Sequence, residues 1–546
     1  MSDRGFKAVC LKDLSEIDPE NPYLSTNSGL IHIDENLYAY LPNELELSCW
    51  NVTILPPAGV NPLKFLEDSG WCELADSQKI LLLVFGADWS SVDAEDAVAR
   101  VANQVGSKEY FDAQKLFSYV IGYEEGALAA YKYLAKCPEA YAGAAFVGLE
   151  KCKDALQGCL CEEEAAGAVA QLPSLFITEN AEAIQPAVSQ LISQNKCLEE
   201  PFSFMGDTVY LPNPAVTGDE VASQRIADVI VRSVIDCADF DVPAAWETLH
   251  RSIRVDGVGQ GDLHPYRSME EWGLVRRELK IDGIVRHWLE YVPKNNVSRR
   301  PSRPLLVFLH GGSQTAKSAM YAAEWMNVAE ARDFVVVFPT GTMRPFDNQP
   351  PHPAWNATRA SNLFDDERFI REMVEDVSNR QDIDRSRIYV AGHSMGAAMT
   401  QRCALAMPDL FAAAASNSGV VVGGFMGDFD TPGVREDMAM PVFIQMGEHD
   451  VGGGSFEENK NAQRTVEYWI ERGQLSPFKS ALETQVGRYC LSQWVSKDGV
   501  PMLTYMRTFD KPHCITPQDA WLYYDWFFSR FSRRADGVIE YMGKAV

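Results

Sequence analysis

Histidine is scarce in the first half of this 546-residue sequence. The chain has nine histidines, and of these only His32 lies within residues 1–245. Histidine is the side chain that most often serves as a general base near neutral pH. A reaction that needs an imidazole base is therefore hard to build from the first half, and we expect the chemistry in the second half.

Long apolar runs and net positive charge are also missing. No stretch reaches the length of a transmembrane helix, and residues 1–22 contain no apolar run typical of a signal peptide. We therefore expect a cytoplasmic protein that does not enter a membrane. The net charge is −27, and residues 1–245 alone hold 15 basic against 38 acidic residues. This argues against nucleic acid as a partner, because phosphate contacts need a basic face.

The twelve cysteines lack the spacing of a metal site. The tightest group is Cys152, Cys159 and Cys161, which has neither a CxxC-like spacing nor a histidine nearby. Ordinary reduced thiols are expected in a chain without a secretory signal. We predict no structural metal here.

A duplication is visible along the chain. YVIGYEEGALAAYKYLAKCP (residues 119–138) recurs as YVAGHSMGAAMTQRCALAMP (residues 389–408). Three further pairs recur in the same order: LYAYLPNE with WLEYVPKN, ILLLVFGADWS with PLLVFLHGGSQ, and LPSLFITEN with MPVFIQMGEHD. Each is a short apolar run that ends in a turn, and helix-like alanine-rich segments lie between them. Apolar strands that alternate with helices predict βα units on a mostly parallel sheet.

The repeat predicts an α/β fold of two tandem domains, each a mostly parallel sheet flanked by helices. We place the domains at residues 1–245 and 246–546, in keeping with a chain too long for one ordinary hydrophobic core. The linker is expected around Asp241–Gly261, and NNVSRRPSR (residues 295–303) reads as a surface loop.

GHSMG (residues 392–396) fits the G-x-S-x-G turn, which presents a nucleophilic serine between a strand and a helix. The apolar RIYVA before it and the alanine-rich segment after it supply that context. The helix N-terminus directs free N–H groups and a positive dipole at Ser394. Upstream, FLHGGSQ ends a strand in a turn, and an N–H of Gly312 or Ser313 is expected to bind an oxyanion together with that of Met395.

An acid and then a histidine should follow such a serine in chain order. Asp450 ends the strand-like VFIQMGEHD, and His513 lies in a loop before the last helix, so these two are predicted to complete a catalytic triad. Glu448 is less well placed than Asp450, and His449 is interpreted as a loop residue.

Three further residues are candidates for contact with a substrate: His310, His393 and Trp355. His310 is expected above all to fix the oxyanion turn by hydrogen bonds, and His393 flanks the nucleophile. Trp355, with His352, lies on a loop before a helix, and a place in the acyl pocket and a structural role are both open. Asp365 and Asp366 read as the acidic start of that helix.

These motifs resemble those of the polyhydroxybutyrate depolymerase and feruloyl esterase group of α/β-hydrolases, akin to carbohydrate esterase family one. The resemblance covers roughly residues 280–535 and rests on LLVFLHGGSQTA, AWNA, DDERFI, DRSRIYVAGHSMGAAMT, PDLFAAAASNSG and the spacing of Asp450 and His513. It implies a serine carboxylic-ester hydrolase that needs no cofactor or metal and acts on a small-molecule ester. It also implies that both halves are α/β-hydrolase-like.

The first half departs from this pattern at each functional position. Glu124 stands where the second half has Ser394, FGADW is taken as the counterpart of the histidine–glycine turn, and the segment FITENAEA at the position of Asp450 offers Glu179 but no aspartate. We predict a degenerate, non-catalytic domain. Three uses stay open for it: packing against the catalytic domain, mediating homo-oligomerisation, or shaping the substrate entrance.

The leading hypothesis is a serine esterase that works through an acyl-enzyme on an aryl or hydroxycinnamoyl-type ester. Hydrolysis of hydroxyalkanoate oligomers is the second choice. A serine peptidase or an acyltransferase would share the triad, and a non-catalytic binding protein is the alternative from another class. The glycine-rich residues 417–433 are read either as the border of an entrance for a flat ring or as a surface loop.

Overall fold

The computed structural model describes residues 17–89, 93–106, 110–160, 170–213, 227–239, 241–255, 261–294, 301–346, 349–360, 362–419, 433–435, 437–450 and 456–546. Two sheets of ten strands dominate the fold. The strands of the first sheet are β1 (Gly29–Asp34), β2 (Leu37–Leu41), β3 (Cys49–Leu55), β4 (Ile80–Phe85), β5 (Ala113–Tyr123), β6 (Gly143–Val147), β7 (Ser174–Thr178), β8 (Phe202–Phe204), β9 (Asp207–Tyr210) and β10 (Val229–Ser233). A hairpin of β11 (Ser252–Val255) and β12 (Asp262–Pro265) follows.

The second half repeats this arrangement. Its large sheet consists of β13 (Val275–Ile281), β14 (Ile284–Tyr291), β15 (Arg303–Leu309), β16 (Val335–Pro339), β19 (Ile383–His393), β20 (Ala413–Asn417), β21 (Val442–His449), β22 (Leu482–Val486), β23 (Tyr489–Val495) and β24 (Pro501–Pro512). The hairpin of β17 (Thr342–Phe346) and β18 (Gln349–Ala354) is inserted after β16, and β25 (Phe531–Arg533), β26 (Ile539–Tyr541) and β27 (Lys544–Ala545) form a small terminal sheet.

The two large sheets have the same strand order. The first runs β1-β2-β4-β3-β5-β6-β7-β10-β9-β8, and the second runs β13-β14-β16-β15-β19-β20-β21-β24-β23-β22. In both, the central strands are parallel and almost wholly buried, which explains why they read as continuous apolar runs. The predicted α/β fold is confirmed: each half is a sheet with parallel central strands that is flanked by helices.

Helices cover both faces of each sheet. Those of the first half are Pro62–Asp68, Trp71–Gln78, Ala94–Gln104, Glu125–Lys136, Lys153–Leu160, Ala181–Gln194 and Val242–Leu249. Those of the second half are Met269–Trp272, Ala316–Ala323, Trp325–Arg332, Asp366–Arg380, Met395–Ala406, Lys460–Gly473 and Pro517–Trp526. Within the part of the chain that the structure describes, none of these helices combines the length and apolarity needed to cross a bilayer.

One predicted strand equivalence is wrong. The sequence paired ILLLVFGADWS with PLLVFLHGGSQ, that is β4 with β15, but β15 occupies the place of β3 in the sheet. Leu309 of β15 lies opposite Gly392, and Leu55 of β3 lies opposite the equivalent Gly122. The counterpart of the histidine–glycine turn is therefore Pro56–Ala58, not FGADW. Two neighbouring, fully buried parallel strands have nearly the same composition, so the apolar pattern alone could not tell them apart.

The predicted boundary at residue 245 falls inside the helix Val242–Leu249. Trp246 of this helix packs edge-on against Tyr119 in β5. Farther along, the Arg254 Nε donates to the Tyr141 carbonyl at 2.9 Å, as Arg533 does to the Phe411 carbonyl at 2.9 Å in the second half. We therefore propose that the first unit extends to about Pro265, and that the second unit begins after it. The predicted linker, Asp241–Gly261, is for the most part packed structure of the first unit.

None of the cysteines whose side chains the structure describes is joined in a disulfide. Cys152 is one of them, whereas the side chains of Cys159 and Cys161 fall outside the description, as do residues 420–432 of the predicted entrance loop and residues 295–300 of the predicted surface loop.

Candidate active site

The turn between β19 and the helix Met395–Ala406 places Ser394 above the sheet. Ser394 has φ +54° and ψ −115°, a conformation that residues other than glycine rarely adopt. Gly396 is required because a Cβ there would lie 2.1 Å from the Leu309 carbonyl oxygen, so the helix could not approach the end of β15. Close packing of helix on strand therefore fixes the raised position of the serine.

His513 lies between Ser394 and Asp450. Its Nε2 is 2.9 Å from the Ser394 Oγ, and its Nδ1 is 2.5 Å from the Asp450 Oδ1. Because a carboxylate can only accept, we assign the ring proton to Nδ1, which leaves Nε2 as the acceptor for the serine hydroxyl. The structure thus brings together the three side chains that the sequence singled out as a triad.

Asp450 is held as a carboxylate. Its side chain is buried, and burial by itself raises the pKa, but the hydrogen bond and the charge of His513 outweigh it, so the pKa lies below its usual value. Its neighbours are differently engaged. Glu448 pairs with Arg507 at 2.7 Å, and His449, interpreted from the sequence as a loop residue, is the exposed last residue of β21, 3.9 Å from Asp510.

The turn after β15, residues His310–Gln314, is called the oxyanion loop below. Its Ser313 N–H donates to the Pro353 carbonyl at 3.0 Å, and its Gly311 N–H donates to the Gln314 side chain at 2.8 Å. The N–H of Gly312 has no partner among the described residues. Of the two predicted donors, Gly312 is therefore the one free to bind an oxyanion. The Met395 N–H, in the first turn of its helix, is the second.

Two of the candidate substrate contacts make hydrogen bonds that support the oxyanion loop, which is the role expected above all for His310. His310 is fully buried, with its Nε2 accepting from the Gly341 N–H at 2.8 Å and its Nδ1 2.6 Å from the Gly311 carbonyl oxygen. Burial lowers its pKa to about 4, so the ring is neutral. Trp355 is also buried, and its Nε1 donates to the His310 carbonyl at 2.8 Å. The polar atoms of both side chains are used in hydrogen bonds to the protein backbone, so they are not available to a substrate.

His393 keeps a place beside the reacting groups. Its ring lies 4.9 Å from the ring of His513, and neither ring nitrogen has a hydrogen-bond partner within the described residues. Burial, reinforced by the proximity of His513, holds its pKa well below the usual value, so the ring is neutral. A neutral imidazole without a partner can still bond a group that enters the site.

Asp365 and Asp366 begin a helix, as predicted, and Asp366 also supports the site. Asp365 caps the helix Asp366–Arg380 by accepting from the Arg368 N–H. The buried Asp366 pairs with Arg286 at 2.6 Å and accepts from the Asn356 N–H at 2.6 Å. It thereby fixes the loop that carries Trp355.

A buried polar network below His513 was not predicted. The Lys511 ammonium lies 3.0 Å from the Asp519 carboxylate, and both side chains are almost fully buried. Asp519 also accepts from the Thr516 N–H at 2.8 Å and from the Gln445 amide at 2.7 Å. The capping motif TPQD (residues 516–519) was readable in the sequence, whereas the ion pair depends on the strand–helix contact and left no local signal.

The strand–turn–helix elbow of the first unit, centred on Glu124, has the same backbone conformation as the elbow at Ser394, but its polar groups are contacted by other side chains of the protein. Glu124 has φ +52° and ψ −114°, and its carboxylate pairs with Lys151 at 2.6 Å. Ala58, the counterpart of Gly312, donates its N–H to the Glu125 carboxylate at 3.1 Å. A side chain of the protein therefore occupies the place where the second unit leaves an N–H free. The only histidine of residues 1–245, His32, lies in β1 and stacks on Tyr38.

Two groups of side chains place possible ligand atoms close together within the described residues: Glu150, Glu179 and Cys237, and Glu448, His449 and Asp510. The second group is largely exposed and already paired, as described above. In the first, burial, with the nearby carboxylates, raises the pKa of the Cys237 thiol to about 12, which disfavours the thiolate that a metal needs. Neither group indicates a metal centre.

Comparison with known proteins extends these observations. Residues 288–442 match the family model described as Esterase PHB depolymerase. Acetylxylan esterase A of Aspergillus oryzae is 30% identical over 142 residues, which is 26% of this chain and 44% of that protein. Poly(3-hydroxyalkanoate) depolymerase C of Paucimonas lemoignei is 34% identical over 125 residues, which is 21% of this chain and 28% of that protein.

Among solved structures, an acetyl xylan esterase from Aspergillus awamori aligns with a TM-score of 0.36 and 18% identity, covering 46% of this chain and 99% of that one. The chain spans less than half the length of the curated relatives named above. The resemblance read from the motifs is confirmed: residues 288–442, which contain the oxyanion loop and Ser394, carry a match to the Esterase PHB depolymerase family.

Proposed function

We propose that this protein is a serine carboxylic-ester hydrolase whose single active centre lies in the second unit. The observation that carries the proposal is the unbroken chain of contacts from the Ser394 Oγ through His513 to Asp450, at an elbow that faces a free Gly312 N–H. Curated relatives named as an acetylxylan esterase and a polyester depolymerase support the reaction class.

In the proposed reaction, the Ser394 oxygen attacks the ester carbonyl while His513 takes its proton at Nε2. The Asp450 carboxylate keeps the ring oriented and stabilises the imidazolium that forms. The Gly312 and Met395 N–H groups bind the oxyanion of the tetrahedral intermediate. His513 then returns the proton to the leaving alcohol, and water releases the acid from the acyl-enzyme by the same steps in reverse.

For the acyl group we propose a small one, acetyl or hydroxyacyl, as the names of the two curated relatives suggest. The aryl or hydroxycinnamoyl ester expected from the sequence stays a prediction. Its described aromatic candidate, Trp355, is committed to the oxyanion loop through its Nε1. We also propose that the first unit does not catalyse, since its elbow carboxylate is paired with Lys151 and its oxyanion position is filled by Glu125.

The test combines a fluorophosphonate probe, which labels only an activated serine, with a panel of p-nitrophenyl acetate, acetylated sugar, hydroxybutyrate oligomers, methyl hydroxycinnamates and peptides. Ser394→Ala should abolish labelling and lower turnover by a factor on the order of 10⁶. Glu124→Ala is the matched control at the same position of the other elbow, and it should leave both unchanged. A wild-type protein that is neither labelled nor active on any ester, or a Ser394→Ala variant that keeps substantial activity, would contradict the proposal.

A further inference from the structure

We infer that the first unit is a working part of the active site, with Gln114 as a positioning residue that holds the oxyanion loop of the second unit. The inference rests on the proposed ester hydrolysis. It chooses among the uses of the first unit that the sequence left open, and it assigns the task to one side chain.

Gln114 reaches across from the first unit to the loop. It lies near the start of β5, and its Nε2 donates to the Ser313 carbonyl at 2.6 Å. The same amide is 3.4 Å from Asp112, so it is directed from its own side as well. Ser313 itself is buried, and its N–H is bound by Pro353. Both peptide groups of Ser313 are thus fixed, one by each unit.

Ser313 needs such fixing because its backbone is strained. Its φ is +60°, in the left-handed region that disfavours a residue with a Cβ, and such a conformation persists only where surrounding contacts impose it. The peptide that precedes Ser313 carries the carbonyl of Gly312, so relaxation of Ser313 would turn the neighbouring Gly312 N–H away from the reacting carbonyl. The Gln114 amide opposes that relaxation.

The helix that follows the loop, Ala316–Ala323, is anchored on the first unit too. The Ser48 hydroxyl donates to the Ser318 hydroxyl at 3.2 Å, and Ser318 in turn accepts from the Thr315 N–H at 3.0 Å. The Lys317 ammonium lies 5.4 Å from the ring centres of both Trp50 and Phe117. The loop therefore ends on an element that is seated against the first unit, which limits its freedom to move.

The expected kinetic effect is specific. An oxyanion donor accelerates the reaction only when it is already directed at the charge that develops in the transition state. A displaced donor weakens binding of the transition state far more than binding of the ester, so the loss should appear in kcat and not in KM. Removing such a donor costs about 10²–10³ in rate, and a misdirected one should cost about 10- to 100-fold.

The experiment uses the full chain with Gln114→Ala and Gln114→Glu. The second variant keeps the length of the side chain but offers the Ser313 carbonyl no donor at neutral pH, so it separates hydrogen bonding from packing. The control is Gln185→Ala, which removes a glutamine from an exposed helix position of the same unit, where its amide is 3.3 Å from the Ser189 hydroxyl. We measure kcat and KM with p-nitrophenyl acetate, the rate of fluorophosphonate labelling, and Tm.

Both Gln114 variants should lose about 10- to 100-fold in kcat and in labelling rate, with KM within about threefold of wild type and the control unchanged. If wild type is active and either Gln114 variant keeps its kcat within a factor of about two, the positioning role is wrong while the proposed function stands. A change in KM alone would also overturn it, in favour of a role at the substrate entrance. A wild type that is neither active nor labelled would overturn the proposed function, and the inference with it.

Discussion

Variants at Glu124 allow the free-energy cost of the strained elbow conformation to be measured away from Ser394 and His513. Glu124 and Ser394 share the same unusual conformation, with φ of +52° and +54°, yet only Ser394 contacts a histidine. We predict that Glu124→Gly stabilises the protein relative to Glu124→Ala. Both variants lose the Lys151 ion pair, but only glycine adopts this conformation without strain.

The magnitude follows from two opposing terms. A non-glycine residue in so sparsely populated a region of backbone space costs about 1–3 kcal/mol. Glycine, compared with alanine, lowers the stability of the folded state by about 0.4–1 kcal/mol, because its unfolded chain has more conformational entropy. The free energy of unfolding of Glu124→Gly should therefore exceed that of Glu124→Ala by about 1 kcal/mol. For a unit of this size that corresponds to a Tm higher by about 2–4 °C.

Calorimetry on the two variants and wild type measures the difference, and ester turnover is followed in parallel. Wild type also contains the ion pair of Glu124 with Lys151. Because both side chains are about one-third or more exposed, that pair contributes only about 0–1 kcal/mol. Turnover should stay within a factor of about two of wild type, because Gln114 lies near the start of β5 and Glu124 directly follows its other end.

Two results would refute this reasoning. If the glycine variant is no more stable than the alanine variant, the left-handed conformation of Glu124 is not strained. If either variant loses ester turnover while it remains folded, the elbow of the first unit takes part in the reaction, and the assignment of a single active centre is wrong.

Two further predictions concern the second unit. Asp450→Asn should lower kcat by about 10²–10⁴. Because the pKa of Asp450 is depressed in the folded state, the stabilisation that its carboxylate provides should be present above pH ~4 and lost as the pH falls through the folded pKa. Denaturant unfolding of wild type and variant from pH 7 to pH 3 checks this, and a stability difference that grows in acid would contradict it. Asp366→Ala should lower the free energy of unfolding by about 3–5 kcal/mol, because it leaves the guanidinium of Arg286 buried without a counter-charge. Asp365→Ala loses only a helix cap and should cost about 1 kcal/mol. Equal losses in the two variants would show that the buried ion pair does not stabilise the protein.

Much of the fold was predictable because the repeat is visible in short local sequence patterns. The apolar runs, the turn glycines and the alanine-rich helices identify two similar units, and the elbow at Ser394 lies where the strand–turn–helix pattern places it. The exact pairing of strands was not predictable. β3 and β4 are both short, apolar and fully buried, and only their place in the sheet shows which of them corresponds to β15.

In the active site, too, some features could be predicted from local sequence and others could not. Chain order and turn context singled out Ser394, Asp450 and His513, and the structure places His513 within hydrogen-bonding distance of both of the others. The support that His310 gives to the oxyanion loop was predicted, whereas the role of Trp355 was not readable, since a tryptophan on a loop fits a substrate pocket and a buried support equally well. Gln114 left no signal at all, because its partner Ser313 is 199 residues away and in the other unit. The expected cytoplasmic location stays a prediction.

The elbow of the first unit has a packing explanation. A Cβ on Gly126 would lie 2.2 Å from the Leu55 carbonyl oxygen, and a Cβ on Gly122 would lie 2.5 Å from the Gly126 carbonyl oxygen, as at the equivalent glycines of the second unit. The helix after β5 can approach the sheet only through this turn, so the turn is needed for folding whether or not it carries a nucleophile. The polar groups of this turn are paired within the first unit: Glu124 with Lys151, and the Ala58 N–H with the Glu125 carboxylate. The same strand, β5, leads from Gln114 to this turn, so the packing that requires the turn also fixes the place of the strand from which Gln114 is proposed to hold the oxyanion loop.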